Sequence, residues 1–95
     1  MKFVLSTSFS SVADLTHLAP VADSHGWEAM SFSDHVVNPK SISTPYPYTD
    51  DGSRRWPPYT DWPDPWVMIG ALATITKRLR FTNNIFVLPM RNPFL

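Results

Sequence analysis

Two kinds of hydrophobic spacing alternate along the chain. Short apolar runs that are bounded by polar residues are typical of β-strands, and they occupy about residues 2–6, 28–33 and 79–88. A spacing of three and four over residues 11–25, and an almost entirely apolar stretch over residues 65–75, predict two helices. The order strand, helix, strand, helix, strand builds a parallel sheet with right-handed crossovers.

Residues at the helix boundaries support both helices. Ser11 offers a hydroxyl at the first N-cap, and Gly26 can adopt the left-handed conformation that ends a helix. Asp64 followed by Pro65 combines a capping carboxylate with a proline at the first helical position. Pro20 lies inside the first helix and removes one of its hydrogen bonds, so we expect a kink or two short helices there.

A long segment without periodicity, residues 34–63, separates the second strand from the second helix; it holds six prolines and five aromatic residues. Loops of this length in compact domains are usually functional or disordered. Because disordered segments are typically poor in aromatic residues, we expect an ordered and packed loop. The same composition is compatible with three roles of the loop. It could be a lid that covers a planar ligand, a surface that binds a carbohydrate, or a polyproline segment that binds a partner.

The length of the chain limits its architecture. Its 95 residues allow one domain at most, and the third strand is followed by too few residues to form a covering helix. A (β/α)8 barrel needs about 250 residues. We therefore expect residues 1–95 to be a partial, truncated α/β domain, namely the N-terminal three β/α units of a (β/α)8 TIM barrel.

The composition narrows the classes of partner. Eight basic residues balance eight acidic ones, so the chain lacks the charge that nucleic acids and anionic membranes select, and we expect neither as a partner. The chain has no cysteine, and its three histidines lack a metal-ligand spacing, so no metal site is expected. No apolar run matches a membrane span or a signal peptide, which makes the cytoplasm the expected location.

Candidate chemistry concentrates where the strands end, because ligands of α/β folds bind at the carboxyl ends of the strands. Asp34 and His35 follow the second strand. An imidazole titrates near neutrality and can donate, accept or stabilise charge, although a water-exposed loop histidine is the simpler interpretation. Arg78, Arg80 and Arg91 could meet a phosphate, but solvated strand ends explain the first two better.

Several ordered blocks together resemble the N-terminal third of luciferase-like oxidoreductases; they are residues 26–37, 46–48, 56–58, 62–65 and 87–93. The nearest branch resembles the enzymes that use the deazaflavin coenzyme F420. The resemblance covers nearly the whole chain. It implies a TIM barrel, usually a homodimer, that acts on a small-molecule substrate, in agreement with the order of strands and helices.

The resemblance also implies roles for individual residues. Asp34 would contact the coenzyme, and catalytic His35 would lie near the ring carbon that exchanges hydride, as an acid, a base or a stabiliser of charge. Asn84 and Ile85 fall where the family has a bulge with a non-proline cis peptide behind the ring. The family's sugar-phosphate dehydrogenases have a tryptophan shortly after the histidine, whereas this chain has Val36 there, so we expect a different substrate.

Three hypotheses follow. The first is the N-terminal part of an oxidoreductase that transfers a hydride between coenzyme F420 and a small organic substrate, and whose 95-residue fragment is inactive alone because the phosphate-binding residues come from later strands. The second is an FMN-dependent luciferase-like monooxygenase of the same superfamily. The third, from another class, is a non-catalytic module that binds a partner through its aromatic loop.

Overall fold

Three parallel strands form one sheet in the order β1-β2-β3. A computed structural model of the chain describes residues 1–94. The strands are β1 (Val4–Ser6), β2 (Ala29–Phe32) and β3 (Arg80–Asn83). The register places Leu5 opposite Met30 and Met30 opposite Phe81. The predicted α/β class with three parallel strands is therefore confirmed.

Helix α1 (Val12–Ser24) connects β1 to β2, and α2 (Pro65–Ala73) precedes β3. A capping box starts α1, because the Ser11 hydroxyl accepts from the Asp14 amide while the Asp14 carboxylate accepts from the Ser11 amide. Asp64 caps α2 by accepting from the amides of Trp66 and Val67. Neither helix within residues 1–94 has the length and apolar character needed to cross a membrane.

The core lies where α1 and α2 pack against the central strand. Its buried side chains are contributed by both helices, by β2 and by the residue before β3; they are Leu15, Ala19, Ala22, Met30, Phe32, Met68, Leu72 and Leu79. All four residues of β2 are buried. Burial along β2 does not alternate, and Ser31 is a buried polar residue between the apolar Met30 and Phe32.

The carboxylate of Asp23 connects the end of α1 to the start of β3. It accepts hydrogen bonds from the backbone amides of Lys77, Arg78 and Leu79 at 2.8, 3.0 and 2.8 Å. The bond from the Lys77 amide has the largest effect in lowering the pKa of Asp23 below its ordinary value. This contact lies at the amino ends of the strands, away from the edge where ligands are expected.

Two expectations about the elements are corrected by the structure. The alternative of two short helices at Pro20 is wrong, because α1 is a single helix that is not divided there, whereas the kink stays a prediction. Both Pro20 and Thr16 are exposed, so water can solvate the carbonyl that loses its partner. Strand β3 ends at Asn83 instead of residue 88, and Leu88–Met90 form a turn of 3₁₀ helix. The amide of Val87 donates to the Asp34 carboxylate at 2.9 Å instead of continuing a strand ladder.

Candidate functional site

The carboxyl ends of β2 and β3 meet through two backbone hydrogen bonds. The Asn84 amide donates to the Phe32 carbonyl at 2.7 Å, and the Asp34 amide donates to the Ile85 carbonyl at 3.2 Å. The turn after β3 is therefore attached to the Asp34–His35 segment after β2. The structure brings together the four residues that the resemblance implies for the site, at the edge where α/β folds bind ligands.

The turn after β3 presents an apolar side chain at this edge. The peptide bond between Asn84 and Ile85 is cis, as the resemblance implies. Both residues lie beyond the end of β3, and 70% of the Ile85 surface is exposed. The roles of Asn84 and Ile85 in holding a coenzyme stay predictions.

Two tryptophans of the long loop enclose His35. The Trp62 ring lies 4.5 Å from the imidazole between centroids, and the Trp56 ring lies 5.7 Å away in an edge-on arrangement. The Trp62 indole donates to the Ser33 carbonyl at 3.1 Å, which fixes this ring beside the end of β2. Within residues 1–94 the buried Nδ1 of His35 has no hydrogen-bond partner.

The two tryptophans belong to an aromatic cluster, which we define as Phe9, His35, Tyr46, Trp56 and Trp62. Phe9 contacts both indoles at 5.2 and 5.4 Å between centroids. Its backbone has a φ of 65°, a left-handed conformation that is uncommon for a non-glycine residue. The predicted ordered, packed loop is confirmed by these contacts.

Arg54 organises the base of the same loop. Its guanidinium donates to the Asn38 side chain at 2.8 Å and to the carbonyls of Pro39 and Lys40 at 2.6 and 3.0 Å. The Asn38 amide in turn donates to the carbonyl of Pro58. A planar guanidinium suits this task because it carries five donors in a fixed geometry.

Asp34 is fully buried, and both of its carboxylate oxygens are occupied. One oxygen accepts from the Val87 amide at 2.9 Å, and the other accepts from the guanidinium of Arg91. Arg91 also donates to Asp64 at 2.6 Å, at the start of α2. The hydrogen bond to Asp34, followed by that to Asp64, raises the pKa of Arg91 above its ordinary value.

Asp64 joins this ion-pair cluster, which we define as Asp34, Asp64 and Arg91. Burial raises the pKa of Asp64, but the bonds from the Val67 amide and from Arg91 outweigh it, so the pKa lies below its ordinary value. A phosphate, which the sequence suggested as a ligand of Arg91, would have to compete with the carboxylates of Asp34 and Asp64. Sequence reasoning missed this pairing because 57 positions separate Arg91 from Asp34.

The described residues fit the ring end of a flavin-type coenzyme. Exposed Ile85 offers an apolar surface, and two buried polar atoms at this edge, His35 Nδ1 and Asn83 Oδ1, have no partner within residues 1–94. A planar, polar heterocycle needs this combination of apolar contact and hydrogen-bonding groups. In the same part of the chain no group of three histidine, aspartate or glutamate side chains is arranged to hold a metal ion.

A comparison of the sequence with known protein families identifies the family of this chain. The profile of the family described as luciferase-like monooxygenase matches residues 2–95. The chain belongs to the luciferase-like monooxygenase family. Family membership accounts for the parallel α/β arrangement of the strands and helices.

Relatives of this luciferase-like chain occur in mycobacteria. It is 30% identical to the uncharacterized proteins Mb0965c of Mycobacterium bovis and Rv0940c of Mycobacterium tuberculosis, over 100% of this chain and 33% of each relative. It is 31% identical to the uncharacterized protein Rv0953c of M. tuberculosis over 70% of this chain and 24% of that protein. The chain thus spans one third of the length of the first two relatives. No solved structure is significantly similar to it.

Proposed function

We propose that the complete protein is an oxidoreductase that transfers a hydride between the deazaflavin coenzyme F420 and a small organic substrate. The observation that carries this proposal is His35, which lies at the carboxyl edge of the sheet with its Nδ1 unpartnered within residues 1–94. Exposed Ile85 lies across the adjoining turn, connected through the Asp34–Ile85 hydrogen bond. Membership of the luciferase-like family supports an oxidoreductase, since its description is that of a monooxygenase.

The residues of this chain would position the coenzyme ring and stabilise the charge that develops at the reacting edge. The bound coenzyme would supply the hydride chemistry. His35 holds or moves a proton at the reacting edge, or stabilises charge that develops there. Trp56 and Trp62 pack against the imidazole and restrict its rotation. Ile85 provides an apolar contact for the ring.

The proposal extends to the whole protein. Residues 1–95 form the first three β/α units of a (β/α)8 barrel, and later units supply the groups that hold the coenzyme phosphate. The complete protein is a cytoplasmic homodimer, and its substrate is a small molecule other than a sugar phosphate. The 95-residue chain alone is inactive, because it lacks those later groups.

The test uses the protein translated from its complete reading frame. The transcript is first sequenced beyond the codon for Leu95, and the purified product is then titrated separately with coenzyme F420 and with FMN, following the absorption of each. We expect binding of F420, and a loss of about 10²- to 10⁴-fold in turnover in His35→Ala. His17→Ala, which changes an exposed helix residue, is the control and should keep full turnover.

A second candidate, an FMN-dependent monooxygenase, is favoured by the family description itself. It predicts that FMN binds and F420 does not, and that reduced FMN with oxygen supports turnover. A reading frame that ends at residue 95 and a product that binds neither coenzyme would contradict both enzyme proposals. That result would favour a non-catalytic module that acts through its aromatic loop.

A further inference from the structure

Arg91 joins three parts of the chain that are distant in sequence. It donates to Asp34, which follows β2, and at 2.6 Å to Asp64, which caps α2, while Arg91 itself follows the 3₁₀ turn. Its guanidinium also lies 5.2 Å from the Phe86 ring centroid. One side chain therefore determines how the segment after β3 lies against β2 and α2.

The carboxylate of Asp34 is not available to a ligand. Its side chain is 0% exposed, and its two oxygens accept from Val87 and from Arg91. A buried carboxylate requires such partners, because its charge is otherwise strongly disfavoured. A coenzyme ring at the sheet edge would meet the neighbours of Asp34 instead of its carboxylate.

Those neighbours are the candidate site residues. The backbone amide of Asp34 holds the carbonyl of Ile85, and its carboxylate holds the amide of Val87 two residues further on. His35 is the next residue along the chain. Asp34 and Arg91 together thus fix the position of the Asn84–Val87 turn relative to His35.

We propose that Asp34 and Arg91 act as one unit that positions the ring-binding edge, and that Asp34 does not touch the coenzyme. This inference rests on the proposed function for the identity of the ligand. It differs from the expectation that Asp34 is a direct coenzyme contact. Both residues are positioning residues, because they act through Val87, Ile85 and His35.

A double-mutant cycle in the complete protein distinguishes a positioning role of Asp34 from a direct contact with the coenzyme. Asp34→Asn, Arg91→Met and the double variant are compared by the dissociation constant of F420, and of FMN if that coenzyme binds, per folded molecule. We expect each single variant to weaken binding about tenfold or more, and the double variant to be no weaker than the worse single one, since coupled residues are non-additive. Arg80→Met, which changes an exposed arginine paired with Glu28, should leave binding unchanged.

A direct contact gives the opposite pattern. Asp34→Asn would then weaken binding while Arg91→Met leaves it unchanged, or the two losses would add, and either result overturns the proposal. Arg91→Lys serves as the conservative variant. It keeps the charge but cannot span two carboxylates with a planar fork, so we expect partial recovery of affinity relative to Arg91→Met.

Hydrogen exchange of the Val87 amide tests the unit without any ligand. We expect this amide to be protected in the wild type and to exchange at least tenfold faster in Arg91→Met, since the loss of Arg91 frees the Asp34 carboxylate and the turn. Unchanged protection overturns the inference whichever coenzyme binds. If the wild-type protein binds neither coenzyme, the proposed function fails, and the exchange measurement still decides whether Asp34 and Arg91 form a unit.

Discussion

At the scale of single residues, His35 depends on side chains that lie far from it in the sequence. Trp62 comes 27 positions later and combines a ring contact with a hydrogen bond to Ser33, 29 positions before it. Phe9 approaches the same indole from the other end of the chain, at 5.2 Å between centroids. The orientation of the imidazole is therefore a property of the folded loop and not of the Asp34–His35 pair alone.

Trp62→Phe tests this dependence. Phenylalanine keeps an aromatic ring but removes the indole donor, so the Ser33 carbonyl loses a hydrogen bond that contributes about 0.5–1.5 kcal/mol to the free energy of unfolding. We expect a loss of stability in that range by urea denaturation, and a reduced turnover if His35 is the catalytic group. Trp27→Phe, at the opposite end of the sheet, is the control. Equal turnover in wild type and Trp62→Phe would contradict a role for Trp62 in orienting His35.

Asp23 makes stability depend on pH. Its pKa in the folded protein is lowered, chiefly by the Lys77 amide, from an ordinary value of 3.8. A lowered folded-state pKa means that its stabilising effect is complete above the unfolded pKa and is lost as the pH falls through the folded pKa. We expect Asp23→Asn to be less stable than the wild type at pH 7, and the difference to shrink below about pH 3.8.

The measurement is urea denaturation of both proteins at several pH values. Asp61→Asn, which changes an exposed carboxylate of the loop, is the matched control. A difference between Asp23→Asn and the wild type that stays constant from pH 7 to about pH 3 would show that the charge of Asp23 contributes nothing to the three backbone hydrogen bonds.

At the scale of elements, boundaries that depend on local hydrogen bonds can be predicted from the sequence, whereas boundaries that depend on distant contacts cannot. The N-caps at Ser11 and Asp64 follow from short-range hydrogen bonds, so the sequence predicts where α1 and α2 begin. The end of β3 does not follow in this way, because residues 84–87 are apolar enough to continue a strand. The Val87 amide instead finds its acceptor on Asp34, 53 positions away, which no local pattern contains.

The same distinction applies to the candidate site. The strand-end position of Asp34 and His35 can be predicted, because it depends only on the order of strands and helices. The burial of Asp34, its pairing with Arg91 and the tryptophans around His35 depend on how residues 34–94 fold back on the sheet. Sequence spacing carries no such information, and the resemblance to a family supplied residue roles without these contacts.

Gly70 provides a test of helix α2. A Cβ built at this helix-interior glycine meets nothing within 4 Å, and its φ is not in the left-handed region. Alanine loses less backbone entropy in a helix, so we expect Gly70→Ala to raise the free energy of unfolding by about 0.5–1 kcal/mol. Urea denaturation measures the change.

Gly26 offers a matched control for this substitution. It too has open space around a built Cβ, but its φ is +78°. Gly26→Ala should therefore lower the free energy of unfolding by about 1–2 kcal/mol, the cost of a left-handed non-glycine residue. If Gly70→Ala were destabilising as well, another surface would have to pack against α2 at this residue in the complete protein.

At the scale of the whole molecule, the chain exposes more surface than a self-contained domain of its size. Its accessible surface is 6987 Å², whereas about 5500 Å² is expected for this mass. Its radius of gyration is 15.0 Å, against about 12 Å for a compact domain of this length. The excess surface is the kind that the remaining units of the proposed barrel would cover.

Part of this exposed surface is an apolar groove of about 570 Å³ between α2 and residues 86–93. Its exposed apolar side chains include Trp66, Val67 and Leu88, with 57%, 72% and 65% of their surfaces open to solvent. Apolar patches of this kind on an isolated chain drive association. The expected behaviour of the 95 residues alone therefore differs from that of the complete protein.

We expect the 95-residue chain on its own to associate as its concentration rises, whereas the product of the complete reading frame forms a defined species. Sedimentation velocity over a wide concentration range measures both. Val67→Glu together with Leu88→Glu adds charge to the groove and should reduce association, while Tyr59→Glu, a change at an exposed loop residue away from the groove, should not. A soluble monomer with a sharp two-state unfolding transition would instead show that these residues form a self-sufficient domain, which would favour the non-catalytic binding module over the enzyme fragment.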